Sequence, residues 1–343
     1  MKTRKLVTLL TVAALSVGAL AGCGDSSSAS SNNSAASTTS TAADTTATST
    51  TDFAAASAAS TASTTETSTA ASTDNTASGI TGTVNAAGSS ALQPLADAVA
   101  KKFMEINPDC TVTVNGGGSG EGLKQVADGS IDIGDSDVFA DEKLDADAAA
   151  KLVDHQVATV TMAPVVSSNL GVSDLTTDQL ISIFTGKTTN WKDVGGPDQA
   201  IVLVTRPSSS GTRATFQKWA LNGEEEASNE SLETDDSGTL LQTVEQTDGA
   251  IGYVALSYLV NATDVTAVKI DGVEPSLENT YNGTYKVWSY EHMYTNGDGS
   301  DAAQAFINYM TSDDFAPEIE AMGYGVASKL TDDAKNAHAD TQQ

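Results

Sequence analysis

The stretch 116-GGGSGEGLKQ-125 decides how the rest of the chain is read. Gly117 and Gly122 have the spacing of the nucleotide-binding loop GxxxxGK[ST], in which backbone N–H groups cradle phosphates while a lysine and a hydroxyl reach the terminal phosphate and its magnesium. Here Leu123 and Lys124 stand where the Lys and Ser/Thr belong. The loop therefore reads as a damaged nucleotide cradle, a plain flexible turn, or a cradle for a different phosphate. Its surroundings are strand-like Thr111–Val114 before it and a short helix from Gly122 to Ala127 after it. Leu123 is expected to face the core and Lys124 the solvent.

Working outward, strand and helix signals alternate. Thr81–Ala86 reads as a strand, and Leu92, Leu95, Val99 and Phe103 recur at helical spacing. Ile131–Gly134 reads as a strand ending in Asp135-Ser136-Asp137. The long apolar run Val157–Ser167 has the character of a strand buried on both faces or passing between lobes. Thr177 is a candidate N-cap for the next helix. Ile201–Val204 leads as a strand into 206-RPSSSGTR-213 and a helix carrying Phe216 and Trp219. Ala250–Val254 and Tyr285–Trp288 read as further strands, and Ala302–Tyr309 as a late helix. No internal repeat is visible. This alternation predicts an α/β fold with mostly parallel sheets.

The N-terminal segment bears on location. Lys2, Arg4 and Lys5 precede an apolar run from Leu6 to Leu20, too short for a comfortable membrane span, and then Leu20-Ala21-Gly22-Cys23. Residues 1–22 read as a lipoprotein signal peptide. The four-residue pattern resembles a bacterial lipobox, which makes Cys23 the acylated N-terminus, with palmitate-type chains holding the protein at the membrane surface. Residues 23–79 are almost entirely Ser, Thr, Ala, Asn and Asp, with Phe53 the one large apolar side chain, and read as a disordered tether. Such a tether has a reach of ~40 Å.

The remaining chain is large enough for a two-lobed domain. The whole sequence has 17 bases and 45 acids; without Lys2, Arg4, Lys5 and the five tether acids, 14 and 40 remain, a charge of −26. That balance argues against nucleic acid as a partner. Any anion site must then act through local hydrogen bonds and dipoles. Cys110, the other of two cysteines, reads as a buried inert thiol.

Four Gly/Ser/Thr-rich turns follow strands: 88-GSSAL-92, 116-GGGSGEG-122, 132-DIGDSD-137 and 206-RPSSSGTR-213. Each alone means only a turn. Together, at the carboxyl ends of strands and the starts of helices, they suit an anion, because helix N-termini present free N–H groups. Arg206 adds a guanidinium able to bind an oxyanion bidentately. In order and separation the four loops resemble the periplasmic-type phosphate-binding protein, the substrate-binding lipoprotein of the bacterial phosphate ABC importer. Further matches are 183-IFTGKTTNW-191, 249-GAIGYV-254 and 306-FINYM-310.

The resemblance implies a periplasmic-binding-protein-like (type II) fold with a ligand cleft between two lobes and two chain crossovers. Lobe I is expected to comprise residues 80–161 and 284–335, lobe II residues 162–283, with 336–343 a polar tail. It implies Ser89, Ser90, Ala91, Ser119, Asp137, Arg206, Ser210, Gly211 and Thr212 as phosphate ligands, with Asp137 the buried acceptor. Two departures stand out: Ser90-Ala91 occupy the place of the usual Thr-Phe, and Ser208 the place of the acid that often braces the arginine. The implied partners are inorganic phosphate and ABC transporter permease subunits. The protein is expected to be a monomer with no cofactor and no metal, lipid-anchored on the outer face of the cytoplasmic membrane of a Gram-positive cell. A carboxylate at Asp137 would accept the proton of hydrogen phosphate and clash with sulfate, which has none to give.

Competing readings are a binding protein for another oxyanion (sulfate, molybdate or a phosphonate) and a phosphatase using a loop serine. A nucleophilic serine needs a base in reach. None of His155, His292 and His338 lies in a Gly/Ser loop, and His338 falls in the polar tail. The chain is therefore expected not to be an enzyme. Trp191 and Trp219 read as core anchors, Glu224-Glu225-Glu226 as a solvated face, and Arg213 either adds charge near the ion or caps a lobe–lobe contact.

Overall fold

The computed structural model describes residues 79–228, 232–313 and 315–338. The signal peptide, Cys23, nearly all of the tether and residues 339–343 lie outside the described residues. Among these residues no helix is long and apolar enough to cross a membrane.

In chain order the strands are β1 (Gly82–Gly88), β2 (Cys110–Asn115), β3 (Ile133–Ser136), β4 (Leu152–Ser167), β5 (Asp174–Leu175), β6 (Val202–Leu203), β7 (Ala250–Ala255), β8 (Val265–Ala267), β9 (Lys269–Ile270) and β10 (Trp288–Asn296). The main helices are α1 (Gln93–Ile106), α2 (Ser119–Asp128), α3 (Ala146–Ala149), α4 (Thr177–Phe184), α5 (Gly211–Ala220), α6 (Ser237–Gln246), α7 (Leu277–Tyr281) and α8 (Asp301–Met310). Short α9 (Ala316–Ala321) and α10 (Asp332–Ala337) follow.

One strand organises the sheet, whose order is β2-β1-β3-β10-β4-β7-β6 with β8 beside the end of β4. The first part of β4, Leu152 to Thr161, pairs antiparallel with β10. From Met162 to Val166 it pairs antiparallel with β7 instead. Residues 157–166 are all buried, which is why this run lacks the alternation of a one-sided strand. The sheet is mixed rather than mostly parallel. β1 runs parallel to β2 and β3, and β6 to β7, but β10 and β4 are antiparallel to every strand they pair with in it. Alternating strand and helix signals could not reveal this, because the antiparallel pairs come from β10 returning late in the chain.

Two principal cores flank the change of partner along β4. One lies among α1, α8, β1 and β2, where Phe103 meets Phe306 edge-on with ring centres 5.6 Å apart. The other lies among α4, α5, β7 and the second part of β4, where Phe216 stacks on Tyr253 at 4.1 Å. Trp191 is a core anchor there, fully buried, with its indole N–H donating to the carbonyl of Gly249 at 2.9 Å. Cys110 is buried in the first core, and burial pushes its thiol above the usual range.

Three local expectations change. The strand expected at Tyr285–Trp288 begins only at Trp288 and continues to Asn296; Tyr285 is buried, but its hydroxyl donates to the Met162 carbonyl at 2.8 Å. The N-cap of α4 is Thr176, not Thr177: its hydroxyl accepts from Gln179 N–H and Gln179 returns a bond to the Thr176 N–H, a reciprocal capping box. His338 is not in a solvated tail. It is 2% exposed and packs against the rings of Trp219 and Trp288 at 3.7 and 4.0 Å, and burial drives its imidazole down to about 4.

Leu123 is fully buried, and Lys124 is exposed and paired with Glu121. Gly122 meets a tighter constraint. A Cβ there would stand 2.4 Å from the carbonyl oxygen of Ala87 and 2.6 Å from Cα of Gly88, both backbone atoms of β1. In an exposed helix Gly→Ala gains stability. Gly122→Ala is expected to lose about 1–3 kcal/mol instead, because neither backbone can yield, seen as a lower urea midpoint at unchanged slope.

Candidate functional site

Each of the four loops delivers its residues from the end of a strand. Gly88 closes β1 with φ at +143°, and a Cβ on it would collide with the Asp135 carbonyl at 2.1 Å. Only glycine fits this approach, which lets Ser89 N–H bond that same carbonyl at 2.9 Å. Ser89 Oγ accepts from the N–H groups of Ala91 and Leu92 at 3.0 and 3.1 Å, so it absorbs the donors at the start of α1. Ser119 is the first residue of α2, after Gly118 at φ +94°. Asp137 follows β3 directly, and Ser210 is the N-cap of α5, its hydroxyl accepting from Arg213 N–H.

These loops converge on Asp137, which is 1% exposed. One carboxylate oxygen accepts from Ser89 Oγ. The other accepts from Thr212 Oγ1 at 2.7 Å, and the Asp137 N–H donates to Ser119 Oγ at 3.1 Å. Gly211 stands so close to Ser119 that a Cβ would lie 2.1 Å from its hydroxyl. Ser89, Ser119, Asp137, Gly211 and Thr212 thus form one buried group.

Arg206 and Ser90 form a second group beside it. Arg206 is fully buried; its Nη2 donates to Ser237 Oγ at 2.9 Å and to the Tyr253 carbonyl at 3.3 Å, and its Nη1 to the Asp235 carbonyl at 3.2 Å. Ser90 Oγ donates to the same Asp235 carbonyl at 2.7 Å and lies 3.0 Å from Ser237 Oγ. The Nε–H of Arg206 is buried and has no partner among the described residues. Ala91 is buried in the second core, and its N–H goes to Ser89.

Ser237 and Asp235 were not anticipated from sequence. The signal was present, since 237-SGT-239 repeats 210-SGT-212 and likewise opens a helix. No strand ends immediately before it, so the strand–turn–helix pattern did not single it out.

The arginine brace also differs from expectation. Ser208 supplies no acid; its carbonyl accepts from Lys143 Nζ at 2.8 Å, as the Ser210 carbonyl does at 3.1 Å. Asp235 Oδ1 lies 3.9 Å from Arg206 Nη1, and the Arg206 backbone is held by Glu226 and Arg213. Glu226 Oε1 accepts from Arg206 N–H and pairs with Arg213 Nε, both at 3.3 Å, while Oε2 accepts from Tyr253 OH at 3.0 Å. Glu226 is 6% exposed, so the acidic run is solvated only at Glu224 and Glu225. A run of three acids carries no periodicity that could reveal one buried member. Arg213 ties Glu226 to the Arg206 carbonyl: Nη1 donates to that carbonyl at 2.6 Å, and Nε pairs with Glu226.

Burial raises the carboxyls of Glu226 and Asp235, opposed chiefly by Arg213 at Glu226 and by Ser210 and Arg206 at Asp235. Burial lowers Lys143. Removing one partner of a buried pair leaves the other charge uncompensated. Glu226→Ala is therefore expected to cost about 3 kcal/mol in urea unfolding, the scale for a broken buried ion pair.

A family model described as a PBP superfamily domain matches residues 26–314. The chain is 52% identical over 238 residues to the phosphate-binding protein PstS of Bacillus subtilis, covering 69% of this chain and 78% of that protein. Among solved structures, it is similar to a Clostridium perfringens protein described as a phosphate ABC transporter substrate-binding protein and solved with bound phosphate. That similarity has TM-score 0.65 and 31% identity, over 72% of this chain and all of that one. An ABC-type phosphate transport receptor from Vibrio cholerae matches at TM-score 0.56 and 28% identity, over 71% of this chain and 99% of that one. With four anion-type loops gathered on one buried carboxylate and one buried guanidinium, and with these relatives, the chain belongs to the PBP superfamily and, within it, to the PstS phosphate-binding proteins.

Proposed function

We propose that this chain captures inorganic phosphate outside the cytoplasmic membrane and delivers it to the permease subunits of an ABC phosphate importer. It is a binding protein, not an enzyme. The observation that carries the reading is the pairing of a buried acceptor with buried donors. Asp137 gathers hydroxyls from Ser89 and Thr212, and Arg206 has a buried Nε–H with no partner among the described residues. An anion with a proton of its own can use both, giving its proton to Asp137 and its oxygens to the arginine, hydroxyls and helix N-termini.

Hydroxyls turn freely between partners, so Ser89 and Thr212 can donate to the oxyanion while Asp137 accepts from the ligand. Ser90, Ala91, Ser119, Ser210 and Gly211 complete the proposed ligand set. In this reading residues 80–161 with 284–335 and residues 162–283 form the two lobes. Support comes from β4, which changes partner from β10 to β7 between Thr161 and Met162. With 17 bases against 45 acids, selectivity has to come from such fixed hydrogen bonds rather than from the field of the whole protein.

The lipid anchor at Cys23 is part of the proposal, resting on Leu20-Ala21-Gly22-Cys23. Cys23→Ser is expected to move the protein from the membrane fraction to the culture medium on cell fractionation; retention at the membrane would overturn the anchor.

Calorimetry on phosphate-stripped protein tests the function. The wild type should bind phosphate and reject sulfate by ~10⁴, the scale set by leaving a buried polar group unpaired. Asp137→Asn should weaken phosphate and narrow that gap, because an amide can donate to sulfate but cannot accept as a carboxylate does. Absence of phosphate heat in the stripped wild type would end this reading.

A further inference from the structure

Asp137 has two buried acidic neighbours that the ligand set does not use. Asp135 lies two residues before it, within β3, and feels its charge. β3 and β10 are antiparallel, with Met293 opposite Asp135 and His292 opposite Ser136. β3 ends at Ser136, and the next residues on each side, Asp137 and Glu291, lie with their carboxyls within hydrogen-bonding reach of each other. β10 also shifts register against β4 between Glu291 and His292, a bulge of the kind that re-aims a side chain. Asp135 and Glu291 are both fully buried.

The three carboxyls are unequally served. Asp137 accepts two hydroxyl bonds, whereas none of the four oxygens of Asp135 and Glu291 accepts an N–H or O–H from the described residues, and Glu291 has only the Asp137 carboxyl within hydrogen-bonding reach. No ion pair between described residues includes any of the three. They are also not placed to hold a metal ion. A buried carboxylate without donors escapes its desolvation cost by keeping its proton. The proton thus belongs on a carboxyl that receives nothing, and Glu291, once protonated, has an O–H to offer directly across from Asp137.

We propose that Glu291 is a neutral carboxylic acid whose O–H donates to Asp137, making it the positioning residue that holds the Asp137 carboxylate as acceptor for the ligand's proton. This rests on the phosphate reading for its purpose, though not for the location of the proton. Burial first, and then the negative neighbours Asp137 and Asp135, push Glu291 well above the usual carboxyl range. The groups facing it include no cation. Asp135 of β3 and Asp137 just after it are acids, β4 sets uncharged Ala158 opposite, α5 brings the Thr215 hydroxyl to the Asp137 carbonyl, and the neutral phenol of Tyr324 lies close by. Asp97 of α1 adds negative charge beside Asp135.

The pH dependence has a definite sign. The folded value lies above the unfolded value near 4.5, so the folded protein holds a proton that the unfolded chain releases. Stability from this group is fullest below the unfolded value and declines as pH rises toward the folded one. Phosphate affinity falls only where Glu291 itself ionises, because the donor then becomes a second charge beside Asp137.

Full-length protein, stripped of phosphate, tests this as wild type, Glu291→Gln and Glu291→Met. Glutamine keeps an N–H donor and cannot ionise; methionine keeps neither. Glu291→Gln should bind inorganic phosphate within about 3-fold of wild type at neutral pH, and Glu291→Met about 10-fold or more weaker, the worth of one hydrogen bond to a charged group. Between about pH 5 and 8 the wild type should lose stability more steeply than Glu291→Gln. Carbon-13 NMR of the wild type, with glutamate carboxyls labelled and Glu291 assigned through β10, should show it protonated at neutral pH. The ligand's own ionisation is common to all three proteins and cancels in the ratios.

An ionised Glu291 at neutral pH, a Glu291→Gln protein as weak as Glu291→Met, or parallel pH slopes would each overturn the proposal. If a variant fails to fold, the wild-type NMR titration decides. A wild type that binds no phosphate would sink the function instead, leaving the NMR and stability measurements to judge where the proton sits.

Discussion

A carboxylate taken almost wholly out of water has to find its hydrogen bonds among whatever surrounds it, and at Asp137 those surroundings come from three separate loops. Ser89 reaches it from the end of β1 and Ser119 from the start of α2, both beside the part of the sheet built on β10. Thr212 reaches it from α5, which packs in the other core. Asp137 is therefore where loops beside the two cores agree on a geometry. The glycines follow from that agreement: Gly211 leaves room for Ser119, Gly88 for the Asp135 carbonyl, and Gly122 for β1. Each looks in sequence like part of a flexible turn, and in space each marks a close backbone approach.

The positive partner is handled differently. Arg206 is buried without a bidentate carboxylate on its guanidinium; carbonyls of Asp235 and Tyr253 and the hydroxyl of Ser237 take its donors. The acid that binds this residue most directly, Glu226, holds its backbone N–H and shares its charge with Arg213. A guanidinium served by neutral acceptors keeps its charge available to an anion, whereas a bidentate carboxylate would neutralise it. This separates the bracing of the chain from the charge of the head group. It accounts for an arginine that remains rigid after the usual acid two residues on has become Ser208.

Much of this was legible in the sequence, for identifiable reasons. The four Gly/Ser turns, the buried run of β4 and the helices carrying Phe103, Phe216 and Phe306 announce themselves through composition and period. Ser119 and Asp137 followed from a family resemblance carried by their loops. What was not legible depended on contacts distant in sequence. The antiparallel insertion of β10 between β3 and β4 requires a strand from the last quarter of the chain. Glu226, His338 and Ser237 bond partners 20, 52 and 31 residues away, and no local pattern distinguishes a buried acid in an acidic run. The N-cap at Thr176 instead of Thr177 was a choice between two adjacent hydroxyls, settled by the reciprocal bond with Gln179.

The opening stretch 116-GGGSGEGLKQ-125 shows why spacing alone misleads. A nucleotide loop needs its lysine because several phosphate charges must be matched at one helix terminus. Here Lys124 points to solvent beside Glu121, and the buried cation, Arg206, comes from beyond β6. Dividing the task between separate loops lets the glycines of this stretch serve packing while its Ser119 hydroxyl accepts from the Asp137 N–H. Its acceptor and its cation are held by separate loops, Asp137 after β3 and Arg206 after β6. Bonds made there depend little on a strongly acidic surface, because a buried hydrogen bond either forms or is left unmade, whatever the field outside.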